Sequence, residues 1–280
     1  MFLLPSVAAA QDAQASQDPS IVVEGNREQQ EAAARNLAKD VVGRLDFGRP
    51  LPRFFETLCL AVACVSDKFG ESFAARIIEN AERADVPVAK GECEPNALVI
   101  LSRDGREQLE AASKKYPHLF DSMKKLDVKK LLNARDPAYA WQVTEVRGAD
   151  GRPFQGVQIN GNEVQINNQF QIGRLNQQIR IDVNAAVVLI DSNAIAGKTA
   201  IQLADYASFR LFATTDEISE NAANSLPTIL SLFLAPELAP PELSEFDLAY
   251  LRGLYSMRGN APGTALYDST VRAMRKQGTD

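Results

Sequence analysis

Histidine is almost missing from this chain of 280 residues, and His118 stands alone. Zinc sites built on paired histidines, three-ligand iron sites and multi-histidine clusters are therefore excluded from within the chain. A serine or cysteine triad would have to draw its base from His118, and no Gly-x-Ser-x-Gly elbow accompanies it. His118 follows Pro117 in a loop-like stretch and reads as a surface residue. Cysteine is nearly as scarce, with only Cys59, Cys64 and Cys93. In an oxidising compartment one pair and one leftover thiol are expected; three buried thiols are the alternative. So few ligands leave little for a structural zinc, and no metal or cofactor is expected.

Two further absences narrow the partners. No apolar run reaches the 18 residues of a membrane helix, so no transmembrane helix is expected after processing. Positive charge is not in excess: 30 Lys and Arg face 36 Asp and Glu, a net charge of −6. That balance argues against nucleic acid as a partner, because such a partner needs a basic face to displace counterions. The densest basic stretch, Lys114, Lys115, Lys124, Lys125, Lys129 and Lys130, is diluted by Asp121 and Asp127 and reads as a solvated helical face.

What is present begins with a processing signal. Met1-Phe2-Leu3-Leu4-Pro5-Ser6-Val7 runs into Ala8-Ala9-Ala10, and Ala13-Gln14-Ala15 follows. Small residues after an apolar run make a signal-peptidase site, so residues 1–15 are expected to be a signal peptide. The run is short and carries no leading Lys or Arg, which suggests a truncated form of a longer signal. A periplasmic or secreted protein follows from this, one of the bacterial envelope. Residues 16–46 read as a polar arm with a strand-like patch at Ile21-Val22-Val23, then a helix from Arg27 to Leu45.

Residues 47–275 read as a single globular domain of the α/β (α+β) class, a mixed sheet with packed helices and a helical C-terminal part. Runs 58–65 and 97–101 have strand length, with a helix over 70–83 between them. Helices are expected over 105–115 and 120–132, and a strand over 139–146. Val157 to Ile166, folded about Asn160-Gly161, carries a strong hairpin signal. Run 179–190 is continuous enough for an inner strand. Residues 199–213 are apolar nearly all round and read as a central helix, followed by helices over 225–234 and from Ser244 to Tyr255.

The stretch Gly197-Lys198-Thr199 opening a helix looks like a phosphate loop, but Ser192 stands where that loop needs glycine. The simpler reading is a turn at Gly197 and a helix cap at Thr199. Asp205, Tyr206 and Arg210 lie inside the apolar helix. A buried carboxylate is costly unless paired, so these three are candidates either for a pocket or for a structural polar cluster. No catalytic residue is singled out by spacing.

Arg53-Phe54-Phe55-Glu56-Thr57-Leu58-Cys59, Cys93-Glu94-Pro95-Asn96, Gln202-Leu203-Ala204-Asp205-Tyr206 and the stretch Leu243 to Tyr255 together resemble a family of uncharacterised exported proteins of alphaproteobacteria. The likeness spans roughly residues 50 to 257 and implies no activity. In that family the position of Cys64 is more often glycine, which favours Cys59 as the partner of Cys93. A fainter likeness is to zincin-like peptidase domains, which place a strand before a central helix. There the helix would carry His-Glu-x-x-His; residues 199–213 hold no histidine, so a degenerate zincin-like domain without zinc is what that likeness implies. The disulfide also follows from the strands. Cys59 opens one apolar run and Cys93 precedes the next, so parallel neighbours would bring them to the same end. The leading expectation for function is a non-catalytic binding or envelope-associated protein, with an envelope protein or a small ligand as partner. The alternatives are a hydrolase with an unrecognised carboxylate or serine site, and a degenerate peptidase.

Overall fold

The alternation in residues 97–101 sets Ala97, Val99 and Leu101 on one side of a strand and Leu98 and Ile100 on the other, so both sides need cover. The computed structural model of the chain describes residues 19–46, 48–64, 66–159, 162–166 and 178–277. Its strands are β1 (Leu60–Ala63), β2 (Ala97–Ser102), β3 (Ala138–Gly148), β4 (Gln155–Ile159), β5 (Asn162–Ile166) and β6 (Ile179–Asp191). The main sheet has the order β1-β2-β6-β3. β1, β2 and β6 are parallel, and β3 runs antiparallel to β6 as an edge strand. β4 and β5 pair by themselves as the expected hairpin, with Val157 opposite Val164. Its turn, Asn160-Gly161, lies outside the described residues, as does the segment 1–18 that carries the expected processing site.

The helices are α1 (Pro19–Val42), α2 (Asp67–Arg83), α3 (Gly105–Lys115), α4 (Lys125–Asn133), α5 (Ala200–Phe212), α6 (Glu220–Ala223), α7 (Glu245–Ser256) and α8 (Ala265–Gln277). The fold is therefore α/β, with a mixed four-stranded sheet. On one face Phe73 and Ile77 of α2, Phe209 of α5 and Tyr250 of α7 bury against Val99, Val188 and Ile190. On the other face Leu109 of α3 and Phe120 cover Tyr139, Trp141 and Leu189, with the Phe120 and Trp141 rings stacked at 5.2 Å. β6 is thus covered on both sides, which is why its sequence is continuously apolar.

Three sequence expectations need correction. The Ile21-Val22-Val23 patch is not a strand: it lies in the first turns of α1, which starts at Pro19 and runs to Val42. A β-branched triplet without a strand partner yields to helix propagation from a proline-started N-terminus. The helix expected over 225–234 is reduced to a 3-10 turn, Ile229–Leu232, with Pro227 barring a longer helix, while the short α6 lies just before the expected range. The helix expected over 120–132 is also two pieces, a 3-10 turn Pro117–Phe120 and then α4. Between them Ser122 leaves the helical path to hydrogen-bond β3. The sequence assigned nothing after Tyr255, where α8 forms and is cross-braced to α1 by Glu31–Arg275 and Arg35–Asp268 ion pairs.

The disulfide joins Cys59 to Cys93, with Cα atoms 6.0 Å apart, and Cys64 remains free. Both bonded cysteines precede their parallel strands at the same end of the sheet. Asn96 ties the same corner, accepting from the Cys59 N–H at 2.8 Å and donating to the Thr57 carbonyl at 3.0 Å. Among the described residues no helix is long and apolar enough to cross a membrane.

Candidate functional site

α5 is set by its N-terminus. Gly197 takes φ +77 to turn the chain, and Thr199 and Gln202 form a reciprocal capping box. The three polar residues that stood out within this helix then part company. Asp205 is fully buried on the side facing α2. It receives Arg76 Nε at 2.7 Å and Nη2 at 2.9 Å, Asn80 Nδ2 at 2.6 Å and the Leu243 N–H at 2.6 Å. Every oxygen is satisfied, and the Asp205 carboxylate holds the Arg76 guanidinium well above its ordinary pKa. Asp205 fastens α2, α5 and the segment before α7 to one another.

Tyr206 and Arg210 point elsewhere, into a pocket of about 410 Å³. The pocket lies between α4, the start of β3, α5 and the segments 215–218 and 230–234. Its floor is apolar, with Leu131, Leu230 and Phe233, and the Tyr206 ring meets Phe233 edge-on at 4.9 Å. Arg210 Nη1 donates to the Tyr206 hydroxyl at 3.1 Å, and among the described residues no carboxylate faces that guanidinium. Thr215 Oγ1, in the same wall, is buried without a hydrogen-bond partner among them. The rim carries the exposed carboxylates Asp127, Asp136, Asp216 and Glu217 against Lys130. Lys130 is tied to Glu217 at 3.2 Å, which pushes the lysine pKa up.

The strand wall is the unusual part. Pro137 accepts from the Asp191 N–H at 2.9 Å, so residue 137 turns its backbone toward β6. Ser122 Oγ meets the Gln142 carbonyl at 3.4 Å and the Thr144 N–H at 3.0 Å on the opposite side. By strand alternation, residues 138, 140, 142 and 144 aim their backbone groups away from β6. Ser122 closes the edge at 142–144. Among the described residues the outward N–H and C=O groups of Ala138 and Ala140 make no hydrogen bond, and both residues line the pocket. Their side chains are small and face α5, so the space beside Tyr206 is left unfilled, while Tyr139 and Trp141 pack on the far face.

No family model, curated protein or solved structure matches this chain. The site must speak through its own geometry.

The remaining candidates fall outside the pocket. His118 is exposed in its 3-10 turn, in edge contact with Tyr116 at 6.2 Å. Among the described residues no group of three His, Cys, Asp or Glu side chains gathers as a metal site. Asp247, in the first turn of α7, completes a capping box with Ser244 and also accepts from Thr228 Oγ1 at 2.6 Å and the Ile229 N–H at 2.8 Å. Burial pushes its carboxyl up to about 6. Ala138, Ala140 and Thr215 were not singled out by sequence. The alternation Ala138-Tyr139-Ala140-Trp141, small on one face and aromatic on the other, was the available signal.

Proposed function

We propose that this is an exported, non-catalytic binding protein that takes an extended segment of polypeptide in the groove between α4 and α5. The observation that carries this reading is the open backbone edge at Ala138 and Ala140 in the wall of a pocket with apolar floor. A bare edge is a template for strand addition, and pockets beside it supply side-chain selectivity. Edges left open are otherwise blunted by charge, proline or cover, as Ser122 covers the next two residues here. The hydroxyls in the wall, Tyr206 and Thr215, contact no His or carboxylate base among the described residues, which favours binding over hydrolysis.

Panning a random decapeptide library against the mature protein tests the groove. Recovered peptides are expected to slow hydrogen exchange of the Ala138 and Ala140 amides. Ala140→Trp, which fills the space, and Ala140→Pro, which removes one outward N–H but leaves the β3–β6 ladder intact, should each weaken binding at least tenfold with the fold retained. No enrichment, or peptides that bind both variants as well as the wild type, would overturn the proposal.

Export rests on the small-residue boundary after residue 7 and is supported by the disulfide. N-terminal sequencing of protein from envelope fractions should find chains starting near residue 11 or 16. An intact Met1 on cytosolic protein would sink that part of the reading.

A further inference from the structure

We infer that the groove receives the free C-terminal end of a peptide carrying basic side chains, an inference that rests on the strand-groove reading above. Three features converge. Arg210 lines both the main pocket and a smaller cleft of about 40 Å³ that continues along Ala140, Trp141 and Gln142. It therefore stands at the Gln142 end of the groove, where Ser122 and the Thr214–Gln142 hydrogen bond of 2.7 Å terminate the open edge. An added strand must stop at that point, and there it meets a guanidinium with no facing carboxylate among the described residues. A planar guanidinium is the side chain best matched to a carboxylate. The Tyr206 hydroxyl and the unsatisfied Thr215 Oγ1 supply further hydrogen-bonding groups in the same wall.

The opposite end fixes the rest of the ligand. Asp136 directly precedes the open edge, and Asp127, Asp216 and Glu217 share its rim. Lys130 offsets them in part, through its bond to Glu217. A purely acidic ligand would be repelled at this mouth, whereas Lys or Arg residues just upstream of the terminus are drawn to it. With the carboxylate at the Gln142 end and the basic residues near Asp136, the segment runs parallel to β3.

The test uses the mature protein with two random octapeptide pools, identical except that one is amidated at its C-terminus. The free-acid pool is expected to yield binders rich in Lys or Arg one to three residues before the end. Amidation of those binders should weaken them at least tenfold. Arg210→Met should erase the difference between acid and amide. Asp136→Asn with Asp216→Asn should flatten the basic preference and its dependence on salt. Equal binding of acid and amide by the wild type would overturn this inference while leaving the groove as a strand site. Binding by neither pool would overturn both. Binders from the acid pool without basic enrichment would remove the assignment of the rim.

Discussion

Asp205→Ala is expected to destabilise the folded protein by about 3–5 kcal/mol, the usual cost of removing one partner from a buried ion pair. The deletion takes an acceptor at once from four donor groups, on Arg76, Asn80 and Leu243. Arg76 keeps Glu242 at 2.9 Å and Glu79 at 3.3 Å, but both of those acids are exposed and screened. Asn80 keeps Ser208 at 3.0 Å, whereas the buried Leu243 N–H has no other acceptor among the described residues. For a chain of this length the melting midpoint should fall on the order of 10 °C. Asp205→Asn should cost less, since its amide oxygen can still accept. The pair Arg76→Met with Asp205→Leu should recover much of the loss, because replacing both partners removes the stranded charge. Urea unfolding of the four proteins decides it. A loss below about 1 kcal/mol for Asp205→Ala would mean that water enters the site and that the cluster does not fasten α2 to α5.

Opening the Cys59–Cys93 bridge should have an effect of similar size. The bond closes a separation of 34 residues, which in the chain-entropy model is worth about 3–4 kcal/mol. Reduction, or the double change Cys59→Ser with Cys93→Ser, should lower the midpoint by roughly 7–14 °C. Cys64→Ala should cost far less, as its thiol is half-buried and donates to the Ser66 carbonyl at 3.2 Å. Non-reducing peptide mapping should show a 59–93 link and a free Cys64. A linked 64–93 peptide, or an unchanged midpoint on reduction, contradicts the assignment.

How far each feature could be read from the chain depended on the range of the interaction behind it. Capping boxes act over three residues, so Thr199 and Ser244 declared themselves as helix starts. The inner position of β6 was visible because burial on both faces demands unbroken apolar sequence. Helix breaks at Pro227 and at 121–124 were missed because periodicity outweighed local punctuation. Asp205, Tyr206 and Arg210 drew notice as polar residues in an apolar helix. Which of them turns inward depends on Arg76, 129 residues away from Asp205, and no local pattern carries that. The groove was illegible for another reason: it is made of what is lacking, small side chains at Ala138 and Ala140 and a strand whose outer side has no neighbouring strand among the described residues.

The cross-bracing of α1 to α8 constrains when the protein can finish folding. Glu31 and Arg35 find their counterparts on Arg275 and Asp268, at the far end of the chain. β6 must also arrive before β2 gains its second neighbour. The wall of the groove waits as well, since the Asp216 N–H hangs on the Val41 carbonyl at 2.8 Å and Asp216 occupies the space where a side chain on Gly43 would sit. α1 therefore cannot complete its contacts until α8 has been made, a consequence of long sequence separation between contacting partners. α8 is thus the element that completes the docking of α1, and through Val41 it bears on the segment that carries Asp216.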